Sequence, residues 1–283
     1  MRQVRDPMRP SARHEATGMH PPAMHQSRQP AVHAEGAVNV LVGMEESQTI
    51  QQAFAALGHN AYSCDLKPCR GVDPARHVVG DVFEVAARFH RDWQGNGLII
   101  LHPVCRYLSV SGQHWVGRPG HEDRAKLRDL AISDFLRAIE LAESFRAGVV
   151  ENPISIMSRI YRQPDQIIQP WQHGDDASKQ TCLWLFGEAA TYGNLLKMTE
   201  FCPPRMVCQG RCRETRPHQL GDSLRGYRCM KCSGKVLPRW ANQTDSGQNR
   251  LAPTADPEDR RAARATTYPG PARAMAVQWG GLL

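Results

Sequence analysis

Three groups of residues carry side chains that could do chemistry. The first is Pro103-Val104-Cys105, which follows the apolar run Leu98-Ile99-Ile100-Leu101 and His102. Proline removes a backbone donor and ends a strand ladder. Cys105 therefore falls on the loop past a strand's carboxyl end, the edge where ligands collect in open α/β sheets. A thiol there is either a nucleophile or a small hydrophobe tucked under a turn, the usual fate of a free cysteine. The second group is Glu151-Asn152-Pro153, the polar terminus of another apolar run, "AGVVENP". The third is Cys208-x3-Cys212 with Cys229-x2-Cys232, two short pairs separated by 16 residues. That spacing fits a tetrahedral four-thiolate zinc site on two knuckles, the alternative being four unrelated thiols.

The elements around these residues set where they stand. Ala37 to Val42 is a β-branched apolar run short enough for a strand. Ile50, Ala53, Phe54 and Leu57 then fall at helical spacing, with Ser47 as cap and Gly58 as stop. "AYSCD" reads as a strand ending at Asp65, and "HVVGDV" places Asp81 in a turn. A long helix covers roughly 123–146, with Ile132, Phe135, Ile139 and Ala142 as its apolar stripe. "DQIIQPW" and "TCLWLFG" are further strand candidates, and "YPGPARAMAVQWGG" leads from a turn into a final helix. Strands alternating with helices predict an α/β fold with a mostly parallel, doubly wound, Rossmann-like sheet. Glu45, Asp65, Asp81, Cys105 and Glu151 all fall at carboxyl ends of strands, which predicts a single crevice.

Composition bounds the rest. The chain has 283 residues, 41% of them hydrophobic, enough for one large domain with an appendage or for two domains. No run approaches the length needed to cross a bilayer. Residues 1–36 hold no apolar stretch, so they read as a disordered extension and not a secretory signal. Nine cysteines without such a signal read as reduced thiols or metal ligands of a cytosolic protein. Between Phe201 and Ala241 nine basic residues face only Glu214 and Asp222, an excess equal to the whole chain's net charge of +7. The basic patch therefore coincides with the cysteine pairs, and its expected partner is a polyanion. The expected division is 37–200 for the sheet domain, 201–240 for a zinc-binding basic module, and 241–283 for a polar loop and a helix returning to the sheet. Zinc alone could also be holding together a segment too small for its own core.

Taken together, these residues resemble the cytosine-5 DNA methyltransferases, most closely the compact phage-type members with an HPPC…ENP pattern. Pro103-Val104-Cys105 is similar to the family's Pro-Cys loop, and Glu151-Asn152-Pro153 to its Glu-Asn-Val. Ser178-Lys179-Gln180-Thr181 stands where the family has a Gln-x-Arg-x-Arg segment, with Lys179 keeping the charge. "YPGPARAMA" resembles the glycine-started helix that completes the cofactor site. The likeness covers about Val38 to Gly187 and the last 20 residues, and the cysteine module would take the place of the target-recognition domain. The family's Gly-rich first loop is reduced here to Gly43, with Glu45 beside it.

The resemblance implies S-adenosylmethionine as cofactor, held by Gly43, Glu45, Asp65, Asp81 and Pro103. Asp65 would take the ribose hydroxyls, as the acidic residue does in dinucleotide folds. Asp81 would lie beside the adenine, or be an ordinary turn aspartate. It implies DNA as partner, no membrane, and a bacterial cytoplasm with a phage or prophage origin. Carbon 5 of cytosine is a poor nucleophile, and adding a thiolate at carbon 6 turns the ring into an enamine that can attack a methyl sulfonium. Cys105 would be that thiolate, stabilised by its surroundings. Glu151, its pKa raised by burial, would meet nitrogen 3 as an acid. Asn152 would fix the loop and Lys179 would hold the base or a phosphate. The target base must leave the duplex first. Two other readings stay open: an amino-methyltransferase, which needs no cysteine, and a non-catalytic zinc-containing nucleic-acid binder.

Overall fold

The computed structural model describes residues 36–248 and 256–282. The expected disorder of 1–36 falls almost wholly outside them. A seven-stranded sheet forms the frame, and its strands and helices alternate along the chain. They run β1 (Asn39–Gly43), α1 (Thr49–Ala55), β2 (Asn60–Asp65), β3 (His77–Val79), α2 (Val82–Asp92) and β4 (Leu98–Leu101). Then come α3 (Val110–Gln113), α4 (Arg124–Ser144), β5 (Ala147–Pro153), α5 (Met157–Ile160), β6 (Gln166–Ile168) and β7 (Thr181–Gly187). The spatial order is β3-β2-β1-β4-β5-β7-β6. β1 through β5 pair in parallel, while β7 runs antiparallel to both β5 and β6. This is a mixed α/β fold with a mostly parallel sheet, compatible with a Rossmann-like arrangement.

All four residues of β4 are fully buried, as a central strand covered on both faces requires. One face packs Ile50 and Phe54 of α1 against Met275 and Trp279 of the last helix, α7 (Pro269–Trp279). The other packs Val85 and Ala86 of α2 with Phe135 and Ala142 of α4. The stripe of α4 is centred on Ala131, Phe135, Ala138, Ile139 and Ala142, and the expected Ile132 is only partly buried. Helix α2 was not expected from the sequence. Asp81, read as a turn residue, is its N-cap and accepts a hydrogen bond from the Phe83 N–H at 2.8 Å.

Helix α1 also begins differently from expectation. Ser47 Oγ accepts the Thr49 N–H at 3.3 Å and the Thr49 hydroxyl at 3.0 Å, and Gln48 holds the N-cap position in a left-handed conformation. The Glu45 carboxylate takes the N–H groups of Ile50 at 2.7 Å and Gln51 at 3.3 Å. Gly58, at φ +85°, ends the segment as expected. Gly270 in the first turn of α7 is obligatory, since a β-carbon there would sit 2.2 Å from the His173 carbonyl oxygen.

A second, four-stranded antiparallel sheet follows, in the order β10-β11-β8-β9: β8 (Arg205–Cys208), β9 (Thr215–Pro217), β10 (Tyr227–Arg228) and β11 (Lys235–Arg239). Its apolar core is little more than Met206, Cys208, Cys229 and Val236. Trp240, just past β11, stacks on Trp171 at 5.4 Å and donates to the Cys202 carbonyl. The stretch 243–266, expected as a loop, contains α6 (Pro257–Ala265), capped by Asp256. This helix has no apolar stripe to signal it. Among the described residues no helix is long and apolar enough to cross a membrane.

Candidate functional site

The chain passes from β1 outward through β2 and β3, then crosses to β4 on the other side of β1. The crevice at such a switch point opens at the carboxyl ends of the strands. Gly43, Asp65 and His102 stand at that edge on β1, β2 and just past β4. Glu151 and Asn152 stand there on β5. Because β7 is antiparallel and Pro153 pairs with Thr181, Lys179 reaches the same edge from the start of β7. Cys105 lies three residues beyond His102.

Two contacts tie the Cys105 loop to β5. Asn152 Nδ2 donates to the Pro103 carbonyl at 2.8 Å, fully buried. One residue earlier, Glu151 Oε2 lies 2.6 Å from His102 Nδ1. Both pairs lie 49 residues apart in sequence. The Cys105 carbonyl accepts the N–H groups of Leu108 and Ser109, which turns the chain away from the strand direction at once. The Thr267 hydroxyl, just before α7, reaches Glu151 Oε2 at 3.5 Å.

The electrostatics depart from the sequence expectation for Glu151. Burial by itself would raise its carboxyl, but the charge and hydrogen bond of His102, joined by the Lys179 charge and the Thr267 hydroxyl, together hold it below the usual carboxylate range. For His102 burial works downward, and Glu151 with Glu45 overcomes it, so the imidazole is held above its ordinary value. Burial pushes the Cys105 thiol up, Lys179 opposes it, and Glu151 adds to the rise. Lys179 itself donates to the carbonyls of Arg264 and Thr266 at 3.1 and 3.2 Å.

Residues expected to hold a cofactor are distributed unevenly. Burial raises the Asp65 carboxyl, while its Oδ1 accepts the Lys67 N–H at 3.0 Å. Asp81 spends Oδ1 capping α2. Glu45 is buried and both its oxygens serve the start of α1. Gly43 allows close packing, since a β-carbon would meet Leu101 and Val82 at 2.5 Å. The Pro103 carbonyl belongs to Asn152.

The four cysteines of the second sheet come together. Their sulfurs all lie within 4.8 Å of one another, a set that can hold one metal ion. Cys208–Cys232 and Cys212–Cys229 are 3.6 Å apart and Cys212–Cys232 3.5 Å. A tetrahedron of thiolates at about 2.3 Å from a metal has edges of about 3.8 Å, whereas a disulfide would be about 2.05 Å. Each knuckle carries a glycine two residues after its cysteine. A β-carbon on Gly210 would lie 2.7 Å from Cys232 Sγ, and one on Gly234 2.4 Å from Gly210 Cα. The Gly210 N–H donates to Cys208 Sγ at 3.3 Å.

The basic patch divides. Arg216 is held by Asp222, Lys231 by Glu214 and Arg205 by Asp245. Arg211, Arg213, Arg225, Arg228 and Lys235 are exposed, and none has a carboxylate partner among the described residues.

His102, Thr267 and the two knuckle glycines were not singled out in the sequence. His102 had a signal, its place directly before Pro103, whereas Thr267 had none. No protein-family model matches the chain, and no curated protein matches it.

Proposed function

We propose that the chain is an S-adenosylmethionine-dependent methyltransferase acting on carbon 5 of cytosine in DNA through a Cys105 adduct. The double clamp of the Cys105 loop carries this reading: Pro103 by Asn152, and His102 by Glu151. A core cysteine needs no such fixing, whereas a nucleophile must be held near its attack position. The mostly parallel sheet, with helices packed on both faces, is compatible with the Rossmann-like sheet that the methyltransferase resemblance implies, which is support by analogy of fold.

Cys105, as thiolate, attacks carbon 6, and Lys179 is the cation that favours its ionised form. Glu151 meets nitrogen 3, where charge gathers during attack. Asn152 keeps the loop from drifting. Among the described hydrogen bonds Asp65 Oδ2 has no partner, so this carboxylate fits a ribose hydroxyl beside the switch point. S-adenosylmethionine bound there supplies an electrophilic methyl group. Glu45 contributes charge and the shape of the first loop, its oxygens being committed to α1.

The four-cysteine set fits zinc, a d¹⁰ cation without geometric preference that takes four thiolates tetrahedrally. A sheet with so small a core needs such a staple. Its five exposed cations without a carboxylate partner among the described residues suit a phosphate backbone, and DNA is the partner that a base-modifying reaction supplies.

Nucleoside mass spectrometry of DNA from a host expressing the protein tests the reading. The expected product is 5-methylcytosine, lost with Cys105→Ser. A methylated exocyclic amine, or an active Cys105→Ser protein, would overturn it.

A further inference from the structure

The proposed reaction leaves His102, buried beside Glu151, without a task. His102 Nδ1 sits 2.6 Å from Glu151 Oε2, with the two side chains only 15% and 9% exposed. Around the pair stand Glu45 from the loop after β1, Lys179 from the start of β7, and Cys105 on the same loop as His102. His102 Nε2 is buried and finds no partner among the described residues. A buried polar atom of this kind calls for water or a bound group.

We propose that His102 is a positioning residue of this reaction, storing the proton that Glu151 passes to ring nitrogen 3. The inference rests on the cytosine-5 reading. Paired with an imidazolium, Glu151 is a carboxylate and has no proton of its own to give. The nearest one is on His102. When the Cys105 thiolate attacks, its electron pair makes the sulfur–carbon 6 bond. The C5=C6 pair shifts to C4=C5, and the C4=N3 pair moves onto nitrogen 3. Nitrogen 3 takes a proton from Glu151, and Glu151 takes one from His102 Nδ1, the carboxyl turning about its Cγ–Cδ bond. His102 ends neutral, Glu151 ends as the carboxylate it began as, and one proton has moved. Expulsion of the thiolate from the unmethylated adduct runs the transfer backwards.

The test is the pH dependence of adduct formation with DNA carrying 5-fluorocytosine, measured in single turnover. In the wild type the rate climbs with thiolate formation until the imidazolium discharges, then levels as the lost proton offsets the gained thiolate. His102→Asn keeps a donor near the Nδ1 position but cannot titrate. It should lose that break and slow adduct formation by about 10²-fold, the scale of general acid catalysis, with cofactor and DNA affinities unchanged. His102→Gln is the second variant should the first fold poorly. In a Glu151→Gln background either substitution should add nothing, because the group they act through is gone. A break that persists in both variants, or a rate lowered equally at every pH, would overturn the proposal while leaving the cytosine-5 reading standing. Absence of any adduct from the wild type would overturn both.

Discussion

Asn152→Ala separates positioning from packing. The bond from Nδ2 to the Pro103 carbonyl is buried at both ends, and such a bond contributes about 1 kcal/mol net. Its removal also leaves the Pro103 oxygen short of a partner. Yet Asn152 Oδ1 is itself buried and unpartnered among the described residues, a cost of about 1–3 kcal/mol that alanine abolishes. The two contributions oppose each other, so unfolding free energy should change by no more than about 1 kcal/mol. Function should respond differently. A loop displaced by about 1 Å costs about 10²-fold in rate, equivalent to about 2.7 kcal/mol of barrier. Urea unfolding gives the first number, and rapid-quench adduct formation with 5-fluorocytosine DNA gives the second. An unchanged rate would refute the clamp. So would a rate loss fully matched by the unfolded fraction, because Asn152 would then be an ordinary core residue.

Chelation should remove one zinc per chain and expose the second sheet to protease. Gly210→Ala, whose β-carbon would press on Cys232 Sγ, should weaken metal retention in a competition titration. Charge reversal at Arg211, Arg213, Arg225 or Lys235 should each flatten the salt dependence of DNA binding by about 0.9 in log–log slope, the release expected for one phosphate contact. An equal change from the internally paired Arg216 would argue against this assignment. The His102–Glu151 pair should stabilise the fold most between about pH 4.5 and about pH 6.5. The raised imidazole contributes fully below its ordinary value and loses its contribution as pH rises through the folded one. The depressed carboxyl contributes above its ordinary value and loses as pH falls through the folded one. The stability gap between wild type and His102→Asn should therefore shrink at both extremes, and a pH-independent gap would count against the pair.

The doubly wound sheet was legible because its strands are short apolar runs ended by polar residues, as Leu98–Leu101 before His102-Pro103 shows. Helix α2 was missed although Val82, Val85, Ala86 and Phe89 fall at helical spacing, because the adjoining strand drew Asp81 into its turn. Helix α6, PEDRRAARA, holds no large apolar residue to signal it; the Asp256 cap, the Lys67–Glu258 and Arg70–Asp259 ion pairs and the Lys179 bond to the Arg264 carbonyl tie it down. The ligand set of the metal site was readable from cysteine spacing, whereas the knuckle glycines depend on a contact between segments 24 residues apart. Glu151 shows where local reasoning ends. Its burial could be read from the strand it closes, but the sign of its shift comes from His102, 49 residues away.

Peptide mapping of the covalent product between the protein and 5-fluorocytosine DNA tests the central claim most directly. A thioether at Cys105, formed in the presence of S-adenosylmethionine and absent with Cys105→Ser, is the predicted result. No covalent product, or attachment at any other cysteine, would contradict the assignment of Cys105 as the nucleophile.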